Sequence, residues 1–168
     1  CVTVFGKGTV NTAGDLSSPA DFAIAGNGSS GMGWYVINVT GGTVTGDEVA
    51  IYHPNAGTLN ISGGTITGNT AVYVKAGETN ITGGTLVGNG AKADYTHNGN
   101  GANATGDALV VENTNYPGGA PSVSITAGTF TSANGKGIGS YADEGNNVTE
   151  LATVNANSDQ ISIPDTEI

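Results

Sequence analysis

Apolar and polar residues alternate along the middle of the chain, and this alternation recurs around a pair of glycines. The run 60–69 reads NISGGTITGN, with close copies at 38–47 and 80–89 and a weaker copy at 124–131. In each half of a copy, one apolar residue stands between residues with hydroxyl or amide side chains. Because side chains alternate between the two faces of a strand, the apolar residue should lie inside and its neighbours in water. We therefore predict two short strands per copy, separated by a turn at the glycine pair.

The predicted inward residues should line up in two columns, because equivalent positions of stacked repeats lie one strand spacing apart. The columns are Val39, Ile61, Ile81 and Ile125, and Val44, Ile66, Leu86 and Phe130. A third, more apolar strand is predicted at 48–53, 70–75 and 108–112, and more weakly at 137–141. Its inward register stays open, since one register is favoured by Ala50, Tyr52, Val72 and Val74 and another by Leu109 and Val111.

The threonine that follows each glycine pair marks the length of the repeat. It occurs at positions 43, 65, 85 and 129, so the steps are 22, 20 and 44 residues. The last step is two periods, and we predict a degenerate copy at 103–107. Self-similarity at this period indicates a solenoid, in which each repeat buries its apolar face only against its neighbours. The predicted fold is all-β, a parallel β-helix (β-solenoid) of about six to seven coils with about 20–22 residues per coil.

We predict a single β-helix domain over residues 1–168. Its parts are a diverged N-terminal coil and cap (1–33), regular coils (34–145) with insertions at 94–101 and 113–121, and a last coil with a C-terminal tail (146–168). Insertions in repeat proteins usually lie on one face and often carry binding residues.

Composition narrows the choice of partner. The chain has 29 glycines, four Lys, no Arg and a formal net charge of −10. Phosphate recognition needs clustered cations, so nucleic acid is excluded as a partner.

Cys1 is the single cysteine, which excludes a disulfide framework and a cysteine zinc site. The apolar runs are too short for a transmembrane segment, and the low charge with abundant Asn, Gly and Thr favours an extracellular or cell-surface location.

Three segments together resemble a known family. They are 63–69 (GGTITGN), 106–113 (GDALVVEN) and 117–123 (PGGAPSV). This combination resembles the pectin-lyase-like right-handed β-helix segments of large surface proteins from gut-type Gram-positive bacteria. The resemblance covers about residues 34–145 and implies a right-handed coil in an extracellular, cell-surface or adhesin context. It is specific for the fold and much less so for function, because the same fold carries enzymes, adhesins and phage fibres.

The residues that the resemblance would require for catalysis are absent. Lyases of that group use an Arg or Lys base beside calcium-binding carboxylates, and the hydrolases use an Asp-Asp pair with Gly-His-Gly. This chain has no Arg, no Asp-Asp pair and no Gly-His-Gly. The acidic and amide residues that recur at one repeat position are expected to serve turns: Asp47, Asn69, Asn89 and Asp107. We therefore predict no enzyme activity, no catalytic residue, no cofactor and no metal site.

Ligand-binding residues are expected in the insertions. His97 lies in the first insertion beside Tyr95, where a metal or glycan contact and a solvated loop are both open. Tyr95 and Tyr116 could stack on a sugar ring, whereas Trp34 is expected to pack over the first coil. His53 is expected to be an exposed residue at a strand end, since the repeat aligns it with Lys75.

Two polar ladders are expected on the outer surface. The threonine ladder consists of Thr43, Thr45, Thr65, Thr67, Thr85, Thr129 and Thr131. It resembles the ice-binding surface of β-solenoid antifreeze proteins, although threonine also suits any exposed strand. The amides of Asn38, Asn60 and Asn80 should hydrogen-bond along the stack.

The leading hypothesis is a non-enzymatic extracellular module for structure, adhesion or self-assembly. End coils of a β-helix expose unpaired backbone groups, so residues 1–5 and 159–168, with Ile161 and Ile163, should either cap the stack or pair with another chain. Self-association end to end or laterally, or binding of a host or microbial glycan or surface protein, would follow. The alternatives are a carbohydrate-binding or polysaccharide-acting β-helix and an ice-binding protein.

Overall fold

The computed structural model describes residues 1–163, which form two parallel β-sheets and no α-helix. The strands are β1 (Val2–Val4), β2 (Thr9–Thr12), β3 (Leu16–Ser18), β4 (Phe22–Gly26), β5 (Tyr35–Gly46), β6 (Val49–His53), β7 (Gly57–Gly68), β8 (Thr70–Val74), β9 (Glu78–Gly88), β10 (Leu109–Asn113), β11 (Ser122–Ser132), β12 (Ile138–Ala142), β13 (Thr153–Asn155) and β14 (Ile161–Ser162). A single 3-10 turn covers Glu144–Asn146. Among these elements there is no helix with the length and apolar character needed to cross a bilayer.

From β4 to β12, consecutive strands alternate between the two sheets. One sheet has six strands in the order β1-β4-β6-β8-β10-β12. The other has eight, in the order β13-β11-β9-β7-β5-β2, with β3 beside β5 and β14 beside β11. Every pairing is parallel, as between β5 and β7 or β6 and β8. The prediction of an all-β fold with parallel strands is confirmed.

The two predicted columns of aliphatic residues line the inner face of the eight-stranded sheet. Pairing aligns Val44 with Ile66, Ile66 with Leu86, and Leu86 with Phe130. The other column is aligned in the same way, and all eight side chains are at most 2 % exposed. Full burial of one such side chain contributes roughly 1.5–3 kcal/mol, so these columns are a main source of stability.

The glycine pairs do not end a strand, contrary to the sequence prediction. A single strand of 11 or 12 residues runs through each pair, with an irregularity in register there between β5 and β7. Gly64 has a φ of 87°. A Cβ atom on it would lie 2.9 Å from the carbonyl carbon of Gly41 in the neighbouring strand. Both the backbone angle and the close approach require glycine, and the pair acts as a bulge rather than a turn.

The predicted degenerate copy at 103–107 is not a repeat. Strands β9 and β11 pair directly, with Thr85 opposite Thr129, so no strand lies between them. The 44-residue step is one passage through both sheets, lengthened by the segment between β9 and β10. Thr105, in the supposed copy, is 1 % exposed and accordingly does not continue the outer threonine ladder.

The inner strands of the six-stranded sheet, β4, β6, β8 and β10, are buried on both faces. Ile51, Val72 and Leu109 are aligned and belong to the core between the sheets, which settles the register that the sequence left open. Tyr52 is aligned with Tyr73 and packs in a separate cluster on the outer face. The inward position considered for Tyr52 is therefore wrong. The outer cluster also contains Ala102, which belongs to the lengthened segment after β9.

His53 and Lys75 are fully buried instead of exposed, for different reasons. Lys75 is covered by the first insertion, whereas His53 is aligned with the core residue Val74, and its Nδ1 lies 3.1 Å from the Tyr35 hydroxyl. Trp34, in contrast, is 63 % exposed and does not pack over the first coil. Its φ of 65° lies in the left-handed region and directs the side chain away from the regular strand path.

Candidate functional site

Four charged or ionisable residues converge under the first insertion, on the outer side of the six-stranded sheet. We call Lys75, His97, Glu112 and Asp143 the charged cluster. Three of them end neighbouring strands: Lys75 follows β8, Glu112 lies in β10 and Asp143 follows β12. Parallel strands present equivalent ends at one edge, so these three side chains are adjacent although they are far apart in sequence. His97 comes from the insertion above them.

His97 contacts both carboxylates of the cluster. Its Nδ1 lies 2.6 Å from Oε1 of Glu112 and 3.2 Å from Oδ2 of Asp143. The Glu112 and Asp143 side chains are 0 % and 1 % exposed, and the His97 side chain is 21 % exposed. One ligating atom from each residue lies within 4.8 Å of the other two. A nitrogen and two carboxylate oxygens in this arrangement are groups that could hold a metal ion.

Lys75 ties the first insertion to the sheet. Its Nζ donates hydrogen bonds of 2.6 Å to the carbonyl oxygens of Asn98 and Gly101. The same ammonium lies 3.6 Å from Oε2 of Glu112, which also accepts a 2.6 Å hydrogen bond from the Tyr73 hydroxyl. A buried lysine is costly unless it is paired and hydrogen-bonded, and here both conditions are met.

Asp143 is oriented by neighbours on two sides. Its Oδ2 accepts hydrogen bonds from Oγ1 of Thr114 at 3.0 Å and from Nδ2 of Asn146 at 2.7 Å. Burial alone raises the pKa of Asp143, but the hydrogen bonds from Asn146 and Thr114, with His97 beside it, hold that pKa below its usual range. The carboxylate is thus kept ionised in a buried position.

Tyr95 and His97 line the same cavity, of about 740 Å³, together with Asp143 and Leu151. The Tyr95 ring stacks on Tyr141 with ring centroids 4.6 Å apart. Its hydroxyl is buried and has no hydrogen-bond partner. Burial raises the pKa of Tyr95, and the nearby charge of Glu112 raises it further. We call this space the histidine cavity.

Tyr116 lies in a second cavity, of about 460 Å³, which we call the tyrosine cavity. Its walls include Tyr52, Tyr116 and three asparagines, Asn27, Asn100 and Asn115. The Tyr116 hydroxyl donates to the carbonyl oxygen of Gly99 at 3.1 Å. Lys75 Nζ lies 4.5 Å from the centre of the Tyr116 ring, within cation–π range. The structure thus brings Tyr95 and His97 together and places Tyr116 in the neighbouring cavity.

Asp107 is a third buried carboxylate and has no turn role of the predicted kind. It accepts hydrogen bonds from the Lys136 backbone N–H at 2.7 Å and from the Tyr141 hydroxyl at 2.6 Å. Burial and the bond to Asp107 raise the pKa of Tyr141. The other residues at the predicted repeat position, Asp47, Asn69 and Asn89, are exposed. The grouping is wrong because 103–107 is not a repeat.

The two polar ladders lie on the outer face of the eight-stranded sheet. Asn80, Asn60 and Asn38 each donate from Nδ2 to the amide oxygen of the asparagine before it, at 3.1, 2.8 and 2.8 Å, and the row ends at Asn11. The threonines form two columns, with pairings such as Thr43 with Thr65 and Thr67 with Val87. The Val87 side chain interrupts the second column.

Ile161 and Ile163, the proposed assembly residues, are half-buried and pack against the end of the main core. That position suits a cap on the apolar interior. The last five residues of the proposed terminal segment, 164–168, lie outside the described residues.

Sequence reasoning missed Lys75, Glu112 and Asp143 as site residues. The sequence carried a usable signal, because Lys75 and Glu112 each stand directly after an apolar run. A single charge in an apolar strand is often a residue with a buried partner.

Comparisons of the chain with protein-family models, with curated proteins and with solved structures gave no match.

Proposed function

We propose that the chain is a right-handed parallel β-helix of about six to seven coils that acts as a non-enzymatic extracellular module for adhesion or assembly. Alternation of consecutive parallel strands between two sheets supports a coil, and the repeat of 20–22 residues supports its regularity. The pectin-lyase-like resemblance and the low-charge composition support the extracellular context.

The observation that carries this proposal is the separation of scaffold from binding features. The repeats build uniform sheets, and both cavities lie where the insertions cover the six-stranded sheet. A rigid stack with irregular loops on one face is the usual organisation of a binding module in repeat proteins.

The carboxylates of the charged cluster favour a non-enzymatic role. Glu112 and Asp143 are fully buried and are hydrogen-bonded to Tyr73, Thr114 and Asn146. A general acid or base has to reach a proton of the substrate directly or through one water. Glu112 does not line the histidine cavity, and the Asp143 side chain, which does, is only 1 % exposed.

Assembly would occur at the ends of the sheets. Within residues 1–163, β1 and β12 are edge strands and leave one row of backbone groups without a strand partner. Phe5, beside β1, and Leu151, after β12, are 57 % and 62 % exposed. These apolar side chains at opposite ends favour end-to-end contact between copies.

Sedimentation velocity over a wide concentration range tests assembly. We expect the wild-type chain to sediment faster as its concentration rises, and Phe5→Glu and Leu151→Glu to weaken this effect. Thr82→Glu is the matched control, because Thr82 is exposed in the middle of the stack. A strictly monomeric wild type at the highest concentration would remove assembly from the proposed function.

Glycan binding in the tyrosine cavity is the second candidate. The cavity combines two tyrosines with three asparagine side chains, and aromatic faces with amide groups suit sugar rings and their hydroxyls. A glycan array should show binding that Tyr116→Ala abolishes and Trp34→Ala, an exposed aromatic elsewhere, preserves. A reducing-sugar assay on the bound polysaccharides accompanies it: release of new reducing ends would contradict the non-enzymatic proposal.

A further inference from the structure

The negative charge of the two carboxylates in the charged cluster is not well neutralised by the cations of the cluster. Two carboxylates are buried, and the only lysine near them is 3.6 Å from Glu112, with its hydrogen bonds directed at two backbone carbonyls. Burying a carboxylate is costly unless a charge compensates it. The group that faces both carboxylates is the Nδ1 atom of His97.

The three donors come from separate segments but are held by fixed partners. Tyr73 orients Glu112, while Thr114 and Asn146 orient Asp143. Hydrogen bonds of this kind to ligand carboxylates are a regular feature of metal sites. One ligating atom of each of the three residues lies within 4.8 Å of the other two; Oε1 of Glu112 faces His97 away from the Tyr73 bond, and Oδ2 of Asp143 faces His97 while it accepts from Thr114 and Asn146.

A fourth polar atom lies beside the three donors. The hydroxyl of Tyr95 is buried near Glu112 without a hydrogen bond of ordinary geometry, and its ring stacks on Tyr141. The histidine cavity, which Tyr95, His97 and Asp143 line, provides an entry path for an ion. A metal-bound water or the metal itself would give this hydroxyl a partner.

We infer that His97, Glu112 and Asp143 bind one divalent transition-metal ion of the zinc type. One imidazole nitrogen with two carboxylate oxygens suits Zn²⁺, Co²⁺ or Mn²⁺, whereas Ca²⁺ prefers six to eight oxygen ligands. The ion takes the place of the His97 Nδ1 proton and links the first insertion to β10 and to the end of β12. This site is independent of the proposed glycan binding and assembly.

The test uses the full chain with Cys1→Ser, since Cys1 is an exposed free thiol that would bind the same metals. After treatment with a chelator, the protein is titrated with Co²⁺ alone and followed by visible absorption, and with Zn²⁺ by calorimetry. We expect one ion per chain. His97→Ala and Asp143→Asn should each abolish stoichiometric binding, and Thr114→Val should weaken it about 10- to 100-fold through loss of orientation.

The matched control is Glu144→Gln, which removes an exposed acid next to Asp143 and should leave the affinity unchanged. Circular dichroism checks that each variant is folded. If a variant unfolds, the metal assignment is tested by the imidazole NMR signal of His97 in the folded Cys1→Ser chain during Zn²⁺ titration. His53, the other histidine, is buried in the sheet, so a response to the ion is assigned to His97. A His97 signal that does not respond, absence of a one-to-one complex, or full binding by folded His97→Ala overturns the assignment.

Discussion

The two sheets are formed by strands that alternate along the chain, but they differ in what covers their outer faces. The eight-stranded sheet exposes rows of threonine and asparagine to water on its outer face. The six-stranded sheet has buried residues throughout β6 and β8, because the segment after β9 packs over it. In a sheet with one water-exposed face, apolar and polar residues alternate along each strand, whereas a strand covered on both faces has a continuous run of apolar residues. The buried charges and both candidate cavities accordingly lie on the covered sheet.

The largest effect should come from the charge buried under the insertion. Lys75→Met leaves Glu112 without its ammonium partner and two carbonyls without their donor. Breaking a buried ion pair on one side costs about 3–5 kcal/mol of unfolding free energy. Urea denaturation measures it, and Lys92→Met, at an exposed lysine between β9 and β10, should change it by less than about 0.5 kcal/mol. Equal changes in unfolding free energy for the two substitutions would show that water reaches Lys75 on the outer face of the six-stranded sheet.

Truncation of inward residues should affect the two sheets equally. Ile66→Ala in the eight-stranded sheet and Leu109→Ala in the six-stranded sheet each remove a fully buried aliphatic side chain. We expect each to lower the unfolding free energy by about 2–5 kcal/mol, from lost burial and the remaining cavity. Urea denaturation of both variants is the measurement. A small loss for only one of them would mean that the two sheets do not share one core.

Acidification should destabilise the protein through the six-stranded sheet. Burial lowers the pKa of His53 to about 4 from 6.5. Between these values the unfolded chain binds a proton that the folded chain does not, so the stabilisation is complete above pH 6.5 and is lost as the pH falls toward 4. The loss over this window should be about 3 kcal/mol. Urea denaturation from pH 7 to 4 measures it, and His53→Gln should flatten the profile in this range.

The smallest effects should occur on the wet face of the eight-stranded sheet. Asn60→Ala removes two links of the amide row and should cost about 1–2 kcal/mol. Thr65→Ala, at an exposed position one column away, should cost less than about 0.5 kcal/mol. Thermal unfolding of the two variants compares them directly. A cost for Thr65→Ala as large as for Asn60→Ala would argue that the threonine column is structural.

The sequence predicted the eight-stranded sheet better than the six-stranded one, for a physical reason. Val44, Ile66 and Leu86 stand between polar residues, so their inward direction was readable from the alternation alone. No alternation exists in β6 or β8, since a covered strand needs apolar residues on both faces, and the burial of His53 was missed for that reason.

The candidate site was predictable only in part. Tyr95 and His97 were identified because insertions into repeats often carry binding residues. Glu112 and Asp143 were not, because their approach depends on pairing between β10 and β12, which local sequence does not encode. The misplaced repeat at 103–107 had the same origin, since direct pairing of β9 with β11 is a long-range feature.

The glycine bulges limit how such a chain can change its length. Gly64 lies against Gly41, and Gly84 against Gly63; a Cβ atom would lie 2.9 Å and 3.2 Å from the neighbouring backbone, and both glycines have a positive φ that disfavours other residues. Adding one residue to a strand would place a larger residue at one of these glycine positions. It would also shift every inward side chain to the opposite face. Duplication of an entire 20- to 22-residue unit keeps each of these glycines next to a glycine of the neighbouring strand. Natural variants of this architecture should therefore grow or shrink by whole turns, with single-residue insertions confined to the loops between the sheets.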